Sequence, residues 1–394
     1  MRLFAYGLIS VVLVFYLVGI GLTESQTGLL LTLTLIGDTA ISLYLTTQAD
    51  RVGRRRMLII GALLMAAAGL VFATTRNFLW LVVAGTIGVI SPSGNEVGPF
   101  LSIEQAALSH VVSDRTRTEV FAGYTLTGSF ATALGALVGG TLSQSLQNTV
   151  LSQVNGYRAV VVLYGVLGIV LALLFMRVSR NAEVIPSESS AAGGLGRLFG
   201  LHKSRRVVAK LSGLFAVDAF AGGFVVQSFA AYWFYLRFGV KPAALGAIFF
   251  WANILSGISA LLASRLAARF GLIRTMVLTH LPSNILLFLV PLMPNVKLAV
   301  LLLLARFSIS QMDVPTRQSY TIAVVSPEER SAAAGITGVA RTTGAAISPL
   351  FVGFLFARPA LINVPFYIAG ALKIVYDLLL YKEFISTKPP EEQR

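Results

Sequence analysis

Cysteine is absent from this chain of 394 residues, and charge is scarce: only 12% of the positions are Asp, Glu, Lys or Arg. Without thiols there is neither a disulfide framework nor a thiolate metal site. The three histidines, His110, His202 and His280, show no metal-ligand spacing, so no metal and no cofactor is expected. A soluble protein carries about 25% charged residues. A chain with half that share lacks the surface an aqueous fold needs. No G-x-x-x-x-G-K loop is present to cradle a nucleotide phosphate, and no nucleophile–base constellation marks an enzyme. Acids are scarcer still, 17 against 31 bases, for a net charge of +14. A basic balance can serve nucleic acid or a membrane surface. Here the bases lie between apolar runs, as orientation signals do, and no nucleic-acid partner is expected.

What fills the chain is apolar: 56% hydrophobic residues and a mean hydropathy of +0.78. Runs of roughly 20 apolar residues, each long enough to cross about 30 Å of hydrocarbon, recur from end to end. Splitting at charges and turn residues predicts an all-α integral membrane protein of twelve transmembrane spans, over 2–22, 28–49, 56–74, 78–112, 118–146, 157–178, 207–236, 242–268, 273–293, 297–325, 330–356 and 362–381. The first run follows a single Arg2 and has no small-residue cleavage signature, so it reads as a retained span rather than a signal peptide. The one long connection, "SRNAEVIPSESSAAGGLGRLFGLHKSRR", is rich in Ser and Gly like a flexible linker, and its basic end can lie along a charged membrane surface. The organisation is then a six-helix half at 1–178, a cytoplasmic linker at 179–206, a second six-helix half at 207–384 and a tail at 385–394. Most of the bases fall on the side of the two termini, which makes both termini cytoplasmic in a multi-pass protein of the cell membrane.

The two halves repeat. "YLVGIGLTESQTG" (16–28) pairs with "YLRFGVKPAALG" (235–246), "RVGRRRML" (51–58) with "RFGLIRTMV" (269–277), and "VVSDRTR" (111–117) with "VVSPEER" (324–330), at shifts of about 218, 218 and 213 residues. Three matches in chain order indicate a pseudo-two-fold relation between six-helix halves, which places a substrate site near the bilayer midplane. Span 7 has a longer lead into its repeat than span 1, so counterparts of Asp218 would precede Met1. Either span 1 is short, or the natural start lies upstream.

At "TTQADRVGRRRMLIIG" (46–61) the chain resembles the signature loop of the major facilitator superfamily, G-x-x-x-D-[RK]-x-G-[RK]-[RK]. Asp50, Arg51, Gly53, Arg54 and Arg55 match, with Thr46 in place of the leading glycine. The loop lies between spans 2 and 3, where that family has it. The resemblance implies the major facilitator fold over nearly the whole chain, with spans 1, 4, 7 and 10 lining a central cavity. It also implies a gating role for these five residues, the acid contacting a helix N-terminus as the helix dipole favours. The same bases also serve to fix topology. A second family signature, the span-5 antiporter motif with a G-P-x-x-G-G core, corresponds to "GALVGG" (135–140), where Ala136 replaces the proline. Small residues there also permit simple close packing.

A charge deep in a bilayer costs about 2.5–3.5 kcal/mol on insertion scales and needs a cavity or a partner. "ISPSGNEVGPFLSIEQAALSHVV" (90–112) places Glu96 and Glu104 among Pro92, Gly94, Gly98 and Pro99, as a bent helix facing a wet cavity would. On span 10, Arg306, Asp313 and Arg317 share a face within about 40°, and Asp313 and Arg317 at i, i+4 can neutralise each other. Asp218 on span 7 reads as a lone carboxylate suited to carry a proton, or as a partner of Lys210 or Arg306. Lys373, Asp377 and Arg341 read as structural. Gln227, Tyr232, Trp233 and Asn253 offer hydrogen bonds and stacking to a solute. The repeat aligns Glu104 with Arg317, which predicts that the two approach across the cavity. The candidate binding and coupling residues are therefore Glu104, Arg317, Asp218, Asp313, Arg306, Glu96 and Gln227.

The reading that follows is a monomeric secondary transporter moving a small solute by alternating access among membrane lipid, coupled to protons. Drug-type efflux is favoured, and anion or sugar-type uptake or exchange is the alternative. A non-transporting receptor or scaffold on the same fold is the competing class, and solute counterflow separates it from a transporter. Asp50→Asn is expected to lower transport while the protein stays folded and inserted. Full activity in that variant assigns the loop to topology alone.

Overall fold

The computed structural model describes residues 1–94, 100–112, 117–149, 151–178 and 203–387. Glu96, most of the 179–206 connection, and the side chains of Asp50 and Arg51 lie outside that description. The described residues form helices with no strand. Nine of these helices are long and apolar enough to cross a membrane, ten when the bent pair Arg2–Ser10 and Leu13–Gly19 counts as one span. The remaining two of the twelve are spans 4 and 10, each divided into shorter helices: Phe78–Ile87 with Phe100–Val111, and Val296–Phe307 with Asp313–Ala323. Helix starts carry the side chains that satisfy free amides. Asn77 accepts from the amides of Leu79 and Trp80, Ser152 from Asn155, and Asn295 from Leu298.

Four spans are interrupted, and they are spans 1, 4, 7 and 10. Span 1 bends by 51° between Ser10 and Leu13. Span 7 is divided at Phe224–Val226 between Arg205–Gly223 and Gln227–Phe238. The sequence predicts a bend in span 4 and a loosening of span 10 at Pro315, and in the structure both spans are broken outright, for different physical reasons. In span 4, Pro92 and Gly94 (φ 71°) break the backbone directly. In span 10 the break at 308–312 holds neither Gly nor Pro. Its cause lies downstream, since Pro315 has no amide for the carbonyl of Gln311 and its ring crowds that carbonyl. The helix restarts at Asp313, which places Pro315 in the first turn, where no amide is needed.

The repeat is visible in backbone geometry. Gly53 (φ 110°) and Gly271 (φ 83°) both precede the first residue of the following helix, and Gly21 (φ 108°) and Gly239 (φ 65°) both end one. Each pair is 218 residues apart, so the two halves make the same left-handed turns at the same points, where a side chain would be strained.

By packing, the chain divides into two compact units. One comprises Met1–Ser190, Val226–Asn253 and Pro349–Ile362; the other comprises Ala191–Val225, Ile254–Ser348 and Asn363–Arg394. Within the first unit, glycines let helices touch backbone to backbone. A Cβ on Gly28 of span 2 would stand 2.3 Å from the carbonyl oxygen of Pro349 and 2.9 Å from the Cα of Gly353 in span 11. A Cβ on Gly140 of span 5 would stand 2.3 Å from the carbonyl oxygen of Pro242 and 2.8 Å from the Cα of Gly246 in span 8. The shifts of 218 and 213 carry Gly28 onto Gly246 and Gly140 onto Gly353, so the repeat turns one crossing into the other. The stretch at 135–140 is packing surface throughout, since Cβ atoms on Gly135 and Gly139 would overlap the backbone of Phe4 and Leu8. In the second unit, Leu211, Phe215, Ile273, Met276, Tyr320, Tyr376 and Leu380 form a buried core between spans 7, 9, 10 and 12.

The absence of cysteine makes the crossings testable with a single thiol. Ser10 is fully buried in the first unit, so a Ser10→Cys thiol is expected to react slowly with a maleimide. Adding Gly28→Val and Gly140→Val should speed labelling several-fold by forcing the crossings apart. Unchanged labelling would mean that the crossings absorb the extra carbons.

Candidate functional site

The interruptions in the first unit meet at one junction. The hydroxyl of Ser228, at the start of the second part of span 7, lies 2.7 Å from the carbonyl oxygen of Ser10 and 2.6 Å from that of Pro92. The Ser228 amide also donates to Pro92 at 3.1 Å. Gln227 donates through Nε2 to the Ser10 hydroxyl at 2.7 Å and accepts from Asn253 at 3.1 Å. Polar groups released by three helix breaks thus satisfy one another away from water. Ser10 and Ser228 are themselves 218 residues apart. Beyond the junction, Phe15 packs edge-on against Tyr232 and Tyr235, and the Tyr232 hydroxyl donates to Glu24 at 3.1 Å. Trp233 is fully buried. Gln227, Tyr232, Trp233 and Asn253, read from sequence as solute contacts, are committed to protein partners or buried packing in this arrangement.

The second unit holds the charges. Leu211, Phe215 and Asp218 form one stripe of span 7, so Asp218 continues the core face and is buried with it. Span 12 repeats the device with Lys373, Asp377, Leu380 and Phe384, and span 9 with Ile273, Met276, His280 and Asn284. Lys373 donates to Asp218 Oδ1 at 2.5 Å. Arg317 reaches Asp218 Oδ2 at 3.4 Å and Asp313 Oδ2 at 2.7 Å, with its guanidinium over the Phe215 ring. Arg341 of span 11 stands 3.5 Å from Asp218 Oδ2, its side chain a third exposed. His280 Nδ1 lies 2.8 Å from Asp377 Oδ1, and Asn284 donates to Asp377 Oδ2 at 2.8 Å. Three carboxylates thus face three fixed cations and one imidazole. A nearby base, Arg306, keeps its Nε buried without a hydrogen bond.

Two expectations need correction here. Asp218 is not a lone carboxylate. Neither Lys210, which pairs with Glu383, nor Arg306 is its ion-pair partner; those are Lys373, Arg317 and Arg341. Lys373 and Asp377, whose i, i+4 spacing on span 12 reads as a structural pair, do not pair with each other, because each reaches across to another span. Glu104, aligned with Arg317 by the repeat, is engaged inside its own unit: Arg2 donates to it at 2.6 Å and Tyr124 at 2.5 Å. These groups edge a mostly apolar cavity of about 350 Å³ lined by Leu3, Thr127, Gly128 and Leu171. Arg317 has Asp313 and Asp218. Each member of the aligned pair therefore holds an ion pair to the first span of its own half, with the sign of charge reversed. In the loop at 46–61, Arg55 donates to the backbone carbonyl of Met176, and Arg54 is buried.

His280, Asn284, Arg2 and Tyr124 were missed from the sequence, and Lys373, Asp377 and Arg341 were read as structural only. The available signal was the stripe. An ionisable residue continuing an apolar i, i+4, i+7 face is buried, and a buried charge needs partners on neighbouring spans.

The family model of the Major Facilitator Superfamily matches residues 1–311 and 215–394, which together span the chain. The chain belongs to the Major Facilitator Superfamily. It is a multi-pass membrane transporter of that superfamily rather than an enzyme. An uncharacterized membrane protein of Saccharomyces cerevisiae, YJR124C, is 32% identical over 98% of this chain and 92% of its own length. A Na(+), Li(+), K(+)/H(+) antiporter of Planococcus maritimus is 27% identical over 51% of this chain and 46% of its own. Among solved structures, the nucleoside transporter NupG superposes with a TM-score of 0.72 at 14% identity, covering 97% of this chain and 96% of its own. A bacterial homologue of the human lysosomal transporter Spinster, inward-facing and occupied, gives 0.70 at 18%, covering 98% and 95%.

Breaking a buried pair leaves a charge without compensation, at a cost of about 3–5 kcal/mol. Asp218→Asn and Lys373→Met are each expected to lower thermal stability in detergent, and the double variant to regain much of the loss. Additive losses would show that Lys373 has no energetic link to Asp218.

Proposed function

We propose that this member of the Major Facilitator Superfamily is a proton-coupled secondary transporter of a small solute, working by alternating access, with efflux by antiport the favoured direction. The observation that carries the reading is the buried charge cluster around Asp218. It costs stability in an apolar bundle, and its groups reach one another from spans 7, 9, 10, 11 and 12. Ion pairs between packed helices make natural switching elements, because a change of protonation alters which helices are held together. The junction at Ser10, Pro92 and Gln227 lies in the half of the spans remote from the 46–61 loop. It ties spans 1, 4 and 7 together within the first unit, the kind of contact that alternating access has to break and remake. The two six-helix halves of the repeat, 1–178 and 207–384, remain the proposed moving parts. The named activity of the Planococcus antiporter, and the name of a Staphylococcus aureus quinolone resistance protein 35% identical over 22% of this chain and of its own, support exchange and efflux.

A second reading, uptake or exchange of an anion, is favoured by Arg306 and the partly exposed Arg341, which leave the cluster rich in bases. A thermal-shift screen of the purified protein against metabolites and drugs identifies ligands, since a ligand bound to the folded state raises apparent stability. Proteoliposomes holding a pH-sensitive dye then test coupling. Addition of the identified solute is expected to dissipate an imposed proton gradient. Solute counterflow without proton movement would overturn proton coupling, and hits confined to carboxylates and phosphates would favour the anion reading.

A further inference from the structure

The proton-carrying group of the cluster is open on the reading above, and Asp218 is poorly placed for the task. A proton on its carboxylate would leave Lys373, Arg317 and Arg341 without their shared anion in a buried site. Asp313 is committed to Arg317 in the same way. We infer that His280 is the residue that takes up and releases the coupling proton, exchanging it against the Asp218–Lys373 ion pair. This rests on the proposal that the protein is proton-coupled.

The geometry is that of an imidazole between two carboxylates. Nδ1 faces Asp377 Oδ1 at 2.8 Å, and Nε2 faces Asp218 Oδ1 at 3.8 Å. A neutral imidazole has one proton, which Nδ1 needs for its close contact with Asp377. The Nε2 lone pair then points toward a carboxylate oxygen beyond hydrogen-bond reach. A second proton on Nε2 makes the ring a donor at both ends and gives it a positive charge between two negative ones. The oxygen it then faces, Asp218 Oδ1, is the one Lys373 holds at 2.5 Å. Protonation therefore sets His280 of span 9 in competition with Lys373 of span 12 for one oxygen of span 7. Loss of the same proton returns that oxygen to Lys373. One proton enters and one leaves in each cycle, and no other bond changes.

The surroundings bear on the charge of the ring from every side. Span 12 presents Asp377, Lys373 and the Tyr376 ring, edge-on at 5.8 Å. Span 7 presents Asp218. Arg317 and Asp313 of span 10 and Arg341 of span 11 act through Asp218, and Arg306 is electrostatically linked to both Asp218 and Asp313. Its own span supplies Asn284, whose amide lies 3.1 Å from Nδ1. Histidine is the side chain of this set whose unperturbed pKa, about 6.5, lies within the physiological range. His280 is 5% exposed, so a proton reaches it only when the packing around the cluster opens to water, which is the step that alternating access supplies.

With three histidines in the chain, ¹⁵N-histidine NMR of the full-length protein in nanodiscs reads each ring directly, with His280→Gln assigning the signal. The expected result is a His280 resonance that changes protonation between about pH 5 and 8 and shifts when Asp218 is replaced by Asn. A ring held in one protonation state across that range would overturn the inference without need of any variant's activity. In proteoliposomes, His280→Gln should lose roughly 5–150-fold of gradient-driven solute accumulation when each protein is normalised to its own counterflow at equal pH, the scale of one coupling interaction. Undiminished coupling in this variant, with coupled wild type, sinks the role of His280 alone. A wild type that moves no protons with solute sinks the underlying coupling reading instead.

Discussion

A carbonyl or amide that leaves a helix inside hydrocarbon must find its partner within the protein. This constraint governs where the chain can depart from regular helix, and the departures fall on spans 1, 4, 7 and 10. In the first unit, the exposed groups of Ser10 and Pro92 are met by Gln227 and Ser228. In the second, Ser348 donates to the carbonyl of Phe220 at 2.6 Å, just before span 7 breaks. The Gln311 amide within the break in span 10 is met by the Ser259 hydroxyl at 3.4 Å. Short hydroxyls and amides therefore decide which bent backbones can coexist. The glycine crossings serve the same end, because only bare backbone lets the helices come close enough for such short side chains to reach.

Charge follows a related rule in the second unit. Asp218, His280, Lys373 and Asp377 each sit on the stripe their helix already buries, so those helices keep their register in accommodating them. The cost of burial is offset by convergence: Asp218 is shared among three cations, and Asp377 between an imidazole and an amide. Convergence of this kind makes the spans interdependent, since no member of the cluster can change its charge without altering what its neighbours hold.

The spans, the loop at 46–61 and the repeat were legible because hydropathy, charge between apolar runs and glycine spacing are local properties. The break in span 4 was also legible, from its own Pro and Gly. The position of the break in span 10 was not, since its cause lies three residues beyond it at Pro315. Partnerships were harder again. Glu104 and Arg317 are equivalent in the repeat, yet equivalence says nothing of which neighbour each will meet. Packing inside each half supplied Arg2 for one and Asp218 for the other. Likewise His280 and Lys373 look unremarkable in linear order, because only the assembled helices bring them around the same carboxylate.

The reversed polarity of those two ion pairs bears on how the chain assembles. The two halves carry a repeated sequence pattern, so an exchange of their first helices is the wrong arrangement most like the right one. The 218-residue shift carries Arg2 onto Phe220, two positions from Asp218, so an exchange of first helices would bring Arg2 toward Arg317 and Asp218 toward Glu104. Like charges forced together in a bilayer repel strongly. The reversed polarity thus disfavours the swapped arrangement at both sites.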